Sequence, residues 1–139
     1  MSNEDEFNIR LQEVFRTEAL EHRREILSAL RELEKGLDPE HEADALEKSF
    51  RAAHTLKGAA RAVDKSQIAV LCQSLEGIFS LLRRGQGRLG REMFGALYDA
   101  VDSMEKLEAG SGDGDSVAIG RLSDLRRVLE RPGKEAADG

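Results

Sequence analysis

Phe50, Ala53, Leu56, Ala60 and Val63 recur every three or four residues, with no proline between them. That spacing puts all five on one side of an α-helix and scatters them over both faces of a strand. The rest of the chain repeats the pattern. Leu11, Phe15, Ala19, His22, Ile26, Leu30 and Leu33 form such a stripe in residues 4–35, and Ile68, Leu71, Cys72, Leu75, Ile78, Phe79 and Leu82 form another. Met93, Phe94, Leu97, Val101 and Met104 make a fourth in residues 91–108, and Ala118, Leu122, Leu125 and Leu129 a fifth in residues 116–131. Short breaks between stripes make sequence neighbours antiparallel. The predicted fold is all-α: an antiparallel four-helix bundle with an additional C-terminal fifth helix.

The breaks carry their own chemistry. Gly36 suits a left-handed position closing the first helix. Asp38 reads as the N-cap of the second, with Pro39 at its first position and Glu40 and Glu42 at the positive end of its dipole. Asp64 reads as the N-cap of the third helix, with Gln67 completing a capping box. Gly85 stops that helix after Arg83 and Arg84. Residues 109–115 read as a flexible linker; their Asp-Gly-Asp run lacks the ligand spacing and terminal glutamate of a calcium loop.

With 139 residues, the chain fits one domain, placed at residues 1–131, with residues 132–139 as a disordered tail or the start of an interdomain linker. The net charge of −6 argues against nucleic acid as a partner. Cys72 is the sole cysteine and reads as a small core residue. No apolar run is long enough for membrane insertion, and the acidic N-terminus is unlike a secretory signal, so the expected location is cytoplasmic. His22 reads as a histidine at the core edge and His41 as a solvated one. The three histidines are too scattered along the chain for a metal site, and none is expected.

The second helix has a second face. Arg51, His54, Lys57, Gly58 and Arg61 recur at helical spacing opposite the apolar stripe. Cations beside a histidine disfavour its protonated form and favour a nucleophilic imidazole. The same cations would hold an anion bound to the ring, such as a phosphoryl group. Gly58 costs a helix interior about 0.5–1 kcal/mol against alanine, yet it leaves open space beside the histidine. On these residues alone, a basic surface helix that happens to hold a histidine and a glycine remains an equal reading.

The run Ala53-His54-Thr55-Leu56-Lys57-Gly58-Ala59-Ala60, preceded by Phe50-Arg51-Ala52, resembles the phosphoacceptor motif of histidine phosphotransfer domains. It is similar to the N-terminal phosphotransfer domain of the chemotaxis histidine kinase CheA, over residues 15–104 and on through the fifth helix. The resemblance implies that His54 accepts a phosphoryl group from a histidine kinase catalytic domain. His54 would then donate it to an aspartate of a response regulator of CheY or CheB type. Glu76 stands at the family's spacing after His54. There it would take the Nδ1–H of the ring and leave Nε2 as the nucleophile. Lys57 would steady the phosphoryl charge, Gly58 would let a partner approach, and Arg51, Arg61 and Gln73 would contribute to docking. Relatives often continue with glycines after the Lys-Gly pair, where this chain has Ala59-Ala60 followed by Arg61, and Asp64 takes a position where glycine is common. ATP and Mg2+ would be used by the kinase domain and Mg2+ by the receiver, with no cofactor in this chain. No ATP-binding glycine loop is present, so a separate kinase domain must supply the phosphate. A phosphotransfer domain of a non-chemotaxis relay, or a helical adaptor without chemistry, are the other readings.

Overall fold

The structure is a computed structural model that describes residues 2–110 and 116–131. Five α-helices follow in order: α1 Asn3–Lys35, α2 Pro39–Ala62, α3 Ser66–Arg83, α4 Arg91–Glu108 and α5 Ser116–Glu130. Among the described residues there is no strand. Of the expected linker at residues 109–115, residues 111–115 lie outside the described residues, as does the expected tail at residues 132–139.

The helix starts are chemical. Ser2 opens α1 with a capping box: its hydroxyl accepts from the Asp5 N–H at 3.1 Å, and the Asp5 carboxylate accepts from the Ser2 N–H at 3.2 Å. Asp38 caps α2 as expected, accepting from the His41 N–H at 2.8 Å, with Pro39 behind it. The same carboxylate oxygen lies 2.7 Å from His41 Nδ1. These bonds hold the Asp38 carboxyl below its ordinary value and lift the His41 imidazole above its own.

The α2–α3 turn corrects one expectation. Asp64 does not cap α3. Its φ is +59°, while an N-cap needs extended backbone. Asp64 instead closes α2: its N–H bonds the Arg61 carbonyl at 3.2 Å, and the Lys65 N–H bonds the Ala60 carbonyl at 2.8 Å. A turn this tight needs one left-handed residue, and aspartate tolerates that region better than most. Gly85 does the same for α3 at φ +77°. The residue before α3 is Lys65, and no side chain caps that helix.

Cross-helix bonds fix the directions. Glu47, His54 and Arg61 of α2 meet Arg83, Glu76 and Gln73 of α3 in reverse order. Arg23 and Glu34 of α1 meet Glu108 and Tyr98 of α4, again in reverse order. The fifth helix lies on α3 and α4, and buries Ala118, Leu122, Leu125 and Leu129 in the one core. It therefore completes the bundle's apolar interior as well as extending it.

Two details of α1 depart from the sequence stripe. The charged Arg23 is buried, paired with Glu108, while His22 sits at the core edge with Nδ1 3.0 Å from Glu25. Leu11, counted in the stripe, is exposed, as are Phe7 and Val14. The cause is length: α1 has 33 residues and α2 has 24, so the start of α1 outruns its neighbour. Among the described residues no helix is long and apolar enough to cross a membrane.

Candidate functional site

His54 sits midway along α2 with its side chain 62% exposed. Ala53, Leu56 and Ala60 on either side of it are fully buried, so the helix cannot rotate to hide the ring without exposing its core face. Across the seam, α3 presents Glu76 from between the buried Leu75 and Phe79. Glu76 Oε2 lies 3.1 Å from His54 Nδ1. The carboxylate side chain is only 16% exposed, so its direction is set by packing.

Lys57 is not on the open face, where its spacing places it. Its side chain is 11% exposed, and its Nζ lies 2.7 Å from the same Glu76 Oε2. One turn beyond His54, the lysine stem runs along the α2–α3 seam while its ammonium reaches the carboxylate. One oxygen thus holds both the imidazole and the ammonium. Burial pulls the Glu76 carboxyl upward, but the bonds from Lys57 and His54 together outweigh it and hold the group below its ordinary value. Glu76 is therefore an anion at neutral pH. An anion accepts, so Nδ1 carries the proton and the lone pair of a neutral ring is left on Nε2.

The other candidates divide. Arg51 is exposed and pairs with Glu47, one turn earlier on α2, at 2.7 Å. Arg61 lies beside Gln73, with Nη2 3.5 Å from its side-chain oxygen. Both edge an open groove of about 440 Å³ that also includes Asp64 and Val70. Gly58 is exposed, and a Cβ built on it would meet nothing within 4 Å. Packing does not require this glycine. A separate cavity of about 290 Å³, lined by Leu33, Leu46, Leu82 and Phe94, includes none of these residues. Cys72 is fully buried against Met104, and burial, then Glu76, push its thiol up to about 12.

Sequence reasoning missed one neighbour of the histidine and the cation behind that neighbour. Phe50, counted as core, is only half-buried; its ring lies 6.3 Å from the His54 ring, with planes 11° apart. Arg83, taken as a helix-end charge, lies over the Phe50 ring at 4.0 Å and also pairs with Glu47. The four-residue step from Phe50 to His54 was a usable signal. Nothing local pointed to Arg83, which comes from the next helix.

A family model described as the Hpt domain matches residues 10–131. Among curated proteins, the chain is 29% identical over 131 residues to the chemotaxis protein CheA of Halobacterium salinarum, covering 91% of this chain and 19% of that one. It is 28% identical over 94 residues to CheA of Borreliella burgdorferi, covering 68% of this chain and 11% of the other. It is 31% identical over 102 residues to CheA of Bacillus subtilis, covering 73% and 15%. The chain thus spans less than a fifth of the length of these relatives. With five helices in one bundle and a family match that runs from α1 through α5, the chain belongs to the Hpt domain family.

Proposed function

We propose that His54 carries a phosphoryl group from a histidine kinase catalytic domain to a response regulator, in a cytoplasmic relay of the chemotaxis type. The observation that carries this reading is the shared Glu76 oxygen, 3.1 Å from His54 Nδ1 and 2.7 Å from Lys57 Nζ, beneath an imidazole open to solvent. In the first step Nε2 attacks the γ-phosphorus of ATP held with Mg2+ by the kinase domain. The N–P bond forms as the bond from the γ-phosphorus to the bridging oxygen breaks, and ADP leaves. The ring becomes positive as its lone pair goes to phosphorus, and the Glu76 carboxylate stabilises that charge through Nδ1–H. Lys57 adds positive charge beneath the phosphoryl oxygens. In the second step a receiver aspartate, beside its own Mg2+, attacks the phosphorus. The N–P bond breaks, an acyl phosphate forms, and the ring returns to neutral.

Similarity to CheA supports the chemotaxis setting and a receiver of CheY or CheB type. Gly58 keeps the surface beside His54 low, and Arg61 and Gln73 offer polar contacts at the edge of the open groove. Arg51, already paired with Glu47, would act only at the rim of a docked partner. The test is transfer of radiolabel from ATP by a CheA-type catalytic domain, with the His54→Gln variant alongside. Acid-labile label on the wild type and none on the variant is expected. Equal label on both contradicts the reading.

A further inference from the structure

A single hydrogen bond to Glu76 does not fix an imidazole. The ring of His54 is 62% exposed, and a bond at Nδ1 leaves it able to tilt about that contact. A second restraint is present on the other side. Phe50 lies one turn earlier on α2 with its ring 6.3 Å from the His54 ring and nearly parallel to it, at 11°. That separation is within the range of offset aromatic pairs. Phe50 is restrained in turn: the Arg83 guanidinium lies 4.0 Å from its centroid, inside cation–π range, and Arg83 is itself paired with Glu47. Glu47, Arg83 and Phe50 thus hold the imidazole from one direction while Glu76 and Lys57 hold it from another.

We infer that Phe50 is a positioning residue for the His54 imidazole, and that Arg83 acts through Phe50. Phosphoryl transfer depends mostly on placement, and a misplaced nucleophile loses rate without losing binding. Phe50 therefore affects the maximal rate of phosphorylation rather than affinity for the kinase domain. The inference rests on the proposed phosphotransfer for its rate, but its geometry is testable without it.

The experiment uses the full chain with a CheA-type catalytic domain and four variants: Phe50→Leu, Phe50→Tyr, Arg83→Gln and Arg83→Lys. Phe50→Leu keeps apolar bulk and removes the ring, and is expected to lower the maximal phosphorylation rate roughly tenfold with KM for the chain unchanged. Phe50→Tyr restores the ring and the rate. Arg83→Gln is expected to give a smaller loss that Arg83→Lys largely repairs, because a cation is kept. In parallel, proton NMR of the His54 ring in each variant reads the stacking directly. The ring-current displacement of its carbon-bound protons is expected in the wild type and in Phe50→Tyr, and lost in Phe50→Leu. A Phe50→Leu rate equal to wild type overturns the inference. So does a loss shared equally by Phe50→Tyr, or a loss that merely follows the melting temperature. If the wild type itself takes no label, the proposed function fails, and unchanged His54 ring shifts in Phe50→Leu would then sink the positioning role separately.

Discussion

Lys57 Nζ and His54 Nδ1 converge on one oxygen of Glu76, at 2.7 and 3.1 Å. The lysine does more than add charge near the histidine. With the bond from His54, its bond holds the carboxyl below its ordinary value in a place where burial alone would raise it. That anion in turn decides which ring nitrogen bears hydrogen. Two residues one turn apart on α2 are coupled through a third on α3.

Replacing Glu76 with glutamine should slow phosphorylation by about 10–100-fold, the range for a group that orients a histidine. The amide still fills the space but no longer compensates the positive ring. Initial rates of labelling, at saturating kinase domain, measure this. An unchanged rate would remove Glu76 from the site.

The same carboxylate makes a pH prediction. Its folded-state value lies below the ordinary 4.5. Its contribution to stability is therefore present above the unfolded value and is lost as pH falls through the lowered folded value. The stability difference between wild type and Glu76→Gln should be full at neutral pH and shrink below pH 4.5, as read from urea unfolding at a series of pH values. A difference that grows on acidification would reverse the sign and contradict the ion-pair account.

Gly58 separates stability from docking. With nothing within 4 Å of a built Cβ, Gly58→Ala should stabilise the chain by about 0.5–1 kcal/mol. Gly58→Leu should also fold, yet slow transfer to the receiver by covering the surface beside His54. Thermal melts and the decay of labelled chain on adding receiver test the two halves. Normal transfer by Gly58→Leu would mean the glycine does not serve access.

Arg23 and Glu108 join α1 to the end of α4 far from His54 in sequence, and their side chains are 8% and 10% exposed. Removing one partner strands the other. Arg23→Met should cost about 3–5 kcal/mol in urea unfolding, and adding Glu108→Leu should recover most of it. Non-recovery would show that Arg23 acts through packing of its stem rather than through the pair.

What could be read from the chain was what repeats locally. The apolar stripes gave five helices within a residue or two, because each stripe reports only its own helix. Asp38-Pro39 announced the start of α2 for the same reason. The spacing of His54 and Glu76 became a pair only because short turns make α2 and α3 antiparallel. Arg23 was hidden because its partner lies 85 residues away, and without a partner a buried arginine is not expected. Lys57 looked exposed because helical phase cannot show that α3 offers an anion at the seam. Asp64 looked like a cap because composition does not reveal a positive φ. Phe50 was assigned to the core by its phase, although it lies at the margin where the core stripe meets the functional face.

In the proposed relay His54 carries phosphorus on Nε2 while Glu76 holds Nδ1–H. The most direct measurement is NMR of the chain labelled with 15N at histidine and phosphorylated by a kinase catalytic domain. One phosphorylated ring is expected, that of His54, with one-bond phosphorus coupling to Nε2 and a proton retained on Nδ1. Coupling to Nδ1, or phosphorus on His22, His41 or another side chain, would contradict it.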